Sequence, residues 1–439
     1  VKPSPYPRYK PSGVEWLGDV PEHWEVKRLK YSASINDEAL PETSLPDFEF
    51  EYVDIGGVNA VDGITATEKL VFENAPSRAR RRVRSGDTIV STVRTYLRAI
   101  APINNPPENL IVSTGFAVVR PRKVDPAFLA YALRESSFIE SVVARSVGVS
   151  YPACNASDVG GIAIPLPEIA EQRSIAAFLD RETRRVDRLV AKKRELIERL
   201  KEKRTALISR TVTRGLPPAA ARAAGLPENP PLKPSGLDWL GDIPAHWEVK
   251  KLSWLFRYAK GPSAAMLTKE YVADNGGDYP VFSGQTENNG LMGMMDWHEF
   301  NFPTPVVLVT TVGARAMTTR LVSGKFSLSQ NCALIIPCSK VANPKFYEPV
   351  LRCLFDYERR SISLIMQPSL RFDDLDKFRV PLPPAEEQAE IASYLDAETA
   401  KLDALVGKVE EAVERLQEYR TALITAAVTG KIDVRALNW

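Results

Sequence analysis

Histidine and cysteine are scarce in this chain of 439 residues, with three and four copies respectively. Cys154, Cys332, Cys338 and Cys353 show neither metal-ligand spacing nor a disulfide framework, so reduced, buried thiols are expected. No apolar run reaches the roughly 18 residues of a membrane-spanning helix, and the start shows no signal-peptide architecture. A soluble, cytoplasmic protein is expected. An excess of one charge sign is also missing: 57 basic and 55 acidic residues leave +2, so only their distribution along the chain is informative.

Catalytic constellations are missing too. Asn105-Pro106-Pro107-Glu108 and Asn229-Pro230-Pro231-Leu232 share three residues with the Asn-Pro-Pro-Tyr/Phe motif of adenine-N6 methyltransferases. Both lack the aromatic residue that stacks on a flipped base, and no glycine-rich cofactor loop follows a strand, so both read as turns. Pro46-Asp47-Phe48-Glu49 lacks the lysine of a nuclease metal site, and Gly324-Lys325 and Gly430-Lys431 lack the upstream glycine of a phosphate loop. His23 and His246 stand between Pro and Trp in an apolar-aromatic context, with no recurring nucleophile or carboxylate partner. They read as hydrogen-bonded packing residues. His298 stands alone, and no metal set emerges. The chain is expected to be non-catalytic.

What is present is repetition. Pro11–Leu29 returns as Pro234–Leu252 with 14 of 19 positions identical. Pro165-Leu166-Pro167, Glu171-Gln172 and Thr205-Ala206-Leu207-Ile208 return as Pro381-Leu382-Pro383, Glu387-Gln388 and Thr421-Ala422-Leu423-Ile424. A chain built twice most simply does one thing at two places.

The second block opens a long helical pattern in each half. Ile175, Leu179, Val186, Leu189, Leu196, Leu200 and Leu207 in the first, and Ile391, Leu395, Leu402, Leu405, Val409, Leu416 and Leu423 in the second, predict coiled-coil seams. Pro167 and Pro384 fit helix starts, and Gly215 and Gly430 fit helix stops. Residues 168–214 carry 14 basic and 8 acidic side chains, whereas 384–431 carry 5 and 10. Opposite signs favour pairing the two different helices within one chain. Short β-type runs at 87–93, 116–119, 306–309 and 333–336, with helical stretches near 126–140 and 344–357, predict two α+β domains. The fold class expected is α+β: two globular domains separated by two long helices in an intramolecular antiparallel coiled coil.

The sharpest charge asymmetry lies within residues 78–98. Arg78, Arg80, Arg81, Arg82, Arg84, Arg94 and Arg98 face only Asp87, with Tyr96 interleaved. Arginine gives bidentate donors to phosphate and to the guanine edge, so this stretch is a candidate nucleic-acid contact. In the second half the matching stretch is taken as residues 283–290, with Ser283, Gln285, Asn288 and Asn289, followed by Arg315 and Arg320. Gln and Asn suit bidentate contacts to adenine. Two helices of about 45 residues span roughly 65 Å, enough to hold two readers apart on one duplex.

Residues 16–29, with Leu166-Pro167, Glu171 to Ala176 and Leu179-Asp180, resemble type I restriction-modification specificity (S) subunits, and the order recurs in the second half. The resemblance implies a non-catalytic subunit whose two target-recognition domains each read half of a split double-stranded DNA site. It also implies two methyltransferase (M) subunits that bind S-adenosylmethionine and methylate adenines, and restriction (R) subunits that use ATP and Mg. No cofactor is implied in this chain. The boundaries expected are recognition domains at 1–165 and 234–380, spacer helices at 166–214 and 381–431, a linker at 215–233 and a tail at 432–439. A rival reading is a coiled-coil protein-interaction adaptor that binds no DNA.

Overall fold

The computed structural model describes residues 4–59, 63–148, 151–285, 287–361 and 368–435. None of the helices among them is long and apolar enough to cross a membrane. The chain divides into two compact units, Val1–Arg194 with Glu410–Trp439, and Glu195–Val409. Both are mixed α and β, so the α+β expectation holds.

In the first unit, strand Thr88–Ser91 lies between Ile100–Pro102 and Phe116–Pro121, with Ala33–Ile35 beyond; all pairings are antiparallel. A second sheet orders Glu68–Val71, Glu49–Val53, Leu110–Ser113 and Ala79–Arg82, with the middle pair parallel. Helix Pro126–Leu133 is started by Asp125, whose carboxylate accepts from the N–H groups of Ala127 and Phe128, while Pro126 occupies a first-turn site that needs no donor. Its Phe128, Leu129 and Leu133 pack with Trp24, Ile175 and Leu179 in one core.

The second unit has one six-stranded sheet in the order Phe256–Ala259, Cys332–Pro337, Phe300–Thr310, Thr319–Leu328, Tyr279–Phe282 and Leu291–Met295. Helix Pro344–Ser361 supplies Phe346, Tyr347, Val350, Leu351, Leu354 and Phe355 to a core shared with Trp247, Val212 and Ile391. In each unit the repeated Glu-Val-Lys strand closes on the Pro-Leu segment of the second block: Glu25–Arg28 on Ala163–Leu166, and Glu248–Lys251 on Arg379–Leu382.

The long helices run Ile169–Arg214 and Ala385–Val428. Each unit holds half of each, paired antiparallel. In the first unit Asp187 meets Arg420 at 2.9 Å, while the helix start at Ile175 and Leu179 shares a core with Leu423, Ile424, Ala427 and Val428. In the second, Arg204 meets Asp403 at 2.9 Å, and Ile208 and Val212 share a core with Ile391 and Leu395. The Arg204–Asp403 pair follows the sign difference read from the sequence, with the base on the first helix, whereas Asp187–Arg420 has the opposite polarity.

The seam itself differs from expectation at three positions. Leu189, Leu196 and Leu405 are exposed, whereas Val190, Ile197 and Val413 are buried. Leu-Val at 189–190 and Leu-Ile at 196–197 place two apolar residues side by side, and the true face is rotated by one residue, about 100° on a 3.6-residue turn. Ile175, Leu179, Val186, Ile391, Leu395, Leu402 and Leu423 are buried as expected, and Leu200, Leu207, Val409 and Leu416 are half-buried.

Two further corrections concern the segment after the first long helix and the thiols. Part of the expected linker is a folded element: helix Pro218–Ala223 buries Ala221 beside Leu216, because Pro-Pro-Ala-Ala can start a helix as readily as break one. Of the four reduced cysteines only Cys332 is fully buried, its thiol pushed up to about 12 by that burial; Cys338 is exposed and the other two are half-buried.

Candidate nucleic-acid interface

The two repeated blocks meet at one junction per unit. In the first unit the buried carboxylate of Glu171 accepts from the Tyr6 hydroxyl at 2.7 Å and the Trp24 indole at 3.2 Å, and pairs with His23 Nε2 at 2.8 Å. Burial, reinforced by Glu171, holds the Tyr6 phenol above its ordinary value, so it remains a donor. Gln172 accepts from the Asp125 N–H and donates to the Pro167 carbonyl, both at 2.7 Å. The second unit repeats the histidine and glutamine parts of this, with Glu387 on His246 at 2.8 Å and Gln388 bridging Asn343, Val341 and Pro383, whereas among the described residues the buried Trp247 indole N–H has no acceptor. The expectation that no carboxylate recurs beside the histidines is therefore corrected: the partner lay in the other repeated block. Each Trp is also met by the end of a long helix, since a Cβ on Gly430 would reach the Trp24 ring at 3.2 Å and one on Gly215 the Trp247 ring at 3.6 Å. These are structural joints: the Glu171 carboxylate is held by Tyr6, His23 and Trp24, with Arg435 at 3.8 Å.

A different repetition, invisible in the residue letters, lies where two strands end. After strand Thr88–Ser91 the chain makes a five-residue loop, Arg94-Thr95-Tyr96-Leu97-Arg98, before strand Ile100–Pro102. After strand Phe300–Thr310 it makes Gly313-Ala314-Arg315-Ala316-Met317 before Thr319–Leu328. Three pinning bonds correspond. Ser91 donates to the Ala99 carbonyl as Thr310 does to Thr318; Arg94 donates to Pro152 as Gly313 does to Pro368; Cys154 donates to Thr92 as Leu370 does to Thr311. Both loops begin and end in the left-handed region, at φ 51° and 52° for Arg94 and Arg98, and 107° and 66° for Gly313 and Met317. The backbones match while the side chains have diverged.

The sequence-predicted contacts fall around these loops unevenly. The arginine run divides into two groups. Arg78, Arg80, Arg81 and Arg82 lie on or before the edge strand Ala79–Arg82, where Arg78 bonds Tyr52 and Asp54 and Arg80 lies over the Phe72 ring. Arg81 has a buried Nε, Arg82 is exposed, and Arg84 pairs with Glu38. Arg94, Tyr96 and Arg98 are exposed on the five-residue loop itself, while Thr95 is buried, and the Arg94 guanidinium lies 4.8 Å from the centroid of Tyr151. The Arg78 carbonyl accepts from Thr114 while the adjoining Gly115 carbonyl accepts from Thr92, which brings the base of the first group to the base of the second.

In the second unit the structural counterpart of Arg94–Arg98 is Gly313–Met317, not residues 283–290; the expected match is corrected on this point. Arg315 sits on the loop, at the position of Tyr96. The turn at Ser283 and Gln285 stands beside it, since a Cβ on Gly284 would touch Asn331 and approach the Val312 carbonyl. Gln285 spends its amide on the Leu291 carbonyl at 2.6 Å, and Arg320 ties the Gln285 and Asn289 carbonyls together. Asn288 and Asn289 are exposed, both left-handed.

Sequence reasoning missed Tyr151, whose ring lies against Arg94, Ser146, whose hydroxyl bonds that of Thr95 at 2.8 Å, and Gly313. A signal was available: Pro152 and Pro368 each precede the Pro of the second block by 13 residues.

A family model for the type I restriction modification DNA specificity domain matches residues 21–199 and again 244–415. The chain belongs to this family. The two matched segments begin at the same repeated proline, Pro21 and Pro244, and each runs into a long helix. The specificity subunit of the type I restriction enzyme MjaVIII of Methanocaldococcus jannaschii is 24% identical, covering 96% of this chain and 95% of its own. The MjaIX specificity subunit of the same organism is 26% identical over 37% of this chain and 38% of its own. A chain from a structural study of complex assembly and conformational transition of the type I R-M system superposes with a TM-score of 0.69 at 25% identity, covering 94% of this chain and 99% of that one. The HsdS subunit of Thermoanaerobacter tengcongensis shares the fold, with a TM-score of 0.53 at 24% identity, over 94% of this chain and 98% of its own.

Proposed function

We infer that this chain gives a type I restriction-modification complex its DNA specificity, each unit reading one half of a split duplex target and the paired helices setting the gap. The observation that carries this reading is the matched pair of five-residue loops, alike in three backbone bonds that pin them and different in exposed side chains. A scaffold that repeats its frame and varies its tips suits two half-sites of different sequence. Recognition domains at 1–165 and 234–380 follow from it, as does docking of methyltransferase subunits on the helices. S-adenosylmethionine chemistry belongs to those subunits, and ATP- and Mg-dependent cleavage to restriction subunits. The adaptor reading leaves the divergence of the loops unexplained.

The test is duplex binding by the chain with its methyltransferase partner. Binding should be salt-dependent, specific for one split site and lost when either half is scrambled. Equal affinity for scrambled and intact duplexes would sink the reading.

A further inference from the structure

We propose that Arg94 and Arg98 are base-reading residues of the first unit, each directed at a guanine, so that its half-site carries G·C pairs where the loop meets the major groove. The proposal rests on the specificity reading above and deepens it. Its starting point is the comparison of two equal loops. Position one is Gly313 in the second unit, where φ is 107°, a conformation natural to glycine. In the first unit the same position, with the same N–H bond to a proline carbonyl, is Arg94 at φ 51°. An arginine held left-handed where glycine serves the backbone better is there for its side chain. Position five is left-handed in both units, and there the difference is one of side-chain direction. Met317 packs that side chain inward, 6% exposed, whereas Arg98 at φ 52° turns outward.

The chemistry of these two side chains is equally directed. Among the described residues neither guanidinium has a carboxylate within ion-pairing distance, whereas Arg78, Arg84, Arg120 and Arg122 each have one. The Arg94 guanidinium lies 4.8 Å from the centroid of the Tyr151 ring, a cation–π contact that holds it at the loop. Guanine O6 and N7 are the major-groove acceptor pair that matches a bidentate arginine fork. The second unit has a single arginine on its loop, Arg315, at the apex position. Its half-site should therefore be read differently.

The experiment expresses the full chain with the methyltransferase subunit of its own system in a host lacking both, and sequences the methylome. Arg94→Gly and Arg98→Gly are the informative variants, because glycine suits both backbones and melting temperature should hold or rise. Each should lower methylation at the wild-type sites by about 10- to 100-fold and admit other bases at one G·C position of one half-site. Arg315→Ala should alter only the other half. Arg94→Lys should behave like Arg94→Gly, since a point charge does not replace the fork. Methylation that falls evenly with the motif unchanged would mean phosphate contact and overturn the proposal, as would unaltered sites or changes confined to A·T positions. A wild-type chain that leaves no sequence-specific methylation overturns the specificity reading, and this proposal with it.

Discussion

At the scale of single residues, the junction carboxylate Glu171 carries the most consequence. Glu171→Ala leaves the Trp24 indole and Tyr6 hydroxyl buried without acceptors, each costing about 1–3 kcal/mol. A fall in chemical-denaturation stability of about 2–5 kcal/mol is expected. Gly430 is a second such point: its φ of 73° already disfavours a side chain, and a Cβ would run into the Pro21 ring and Trp24. Gly430→Ala should therefore lower the melting temperature more than Gly241→Ala, where φ is 62° but the space is open. Asp433 adds a pH dependence. Its hydrogen bond to Arg435 holds its carboxyl below the usual range, so the stability it contributes is present above the unfolded value near 3.9 and lost as pH falls through the lower folded value. Asp433→Asn should reduce stability at neutral pH and shrink the loss seen in melts below about pH 4.

At the scale of elements, periodicity made the two long helices legible almost to the residue. Gly215 and Gly430 stop them as expected, with one further residue, Thr429, before the second glycine. The seam was less legible because adjacent apolar residues make two helix faces equivalent in the sequence; only packing decides between Leu196 and Ile197. Ile197→Ala should cost about 2–4 kcal/mol and Leu196→Ala under about 1, measured by urea unfolding of the free chain. The reverse order would restore the original register. The two paired loops were partly legible. Composition marked Arg94 and Arg98, but their equivalence to Gly313 and Met317 lies in hydrogen bonds between distant segments, which residue letters do not carry. The same is true of the Glu171–His23 pair, whose members stand 148 residues apart.

At the scale of the molecule, repetition in the sequence corresponds to the joints, and divergence to the loops. The helices connect these two levels. Inserting one heptad into both, near Leu196 and Ala412, should widen the gap between half-sites while leaving the bases within them unchanged, as read by methylome sequencing. New bases inside a half-site would contradict the ruler role. The ion pairs add a condition. Asp187 and Arg204 are 17 residues apart on one helix, and Asp403 and Arg420 are 17 apart on the other. An in-frame duplication in one helix alone would break that equality, displacing the partners of one pair relative to the other. The gene can thus drift freely at its loop codons, but its spacer can change length only through two coordinated edits more than 200 codons apart. Heritable change in this chain should be gradual in which bases are read and abrupt in how far apart they lie.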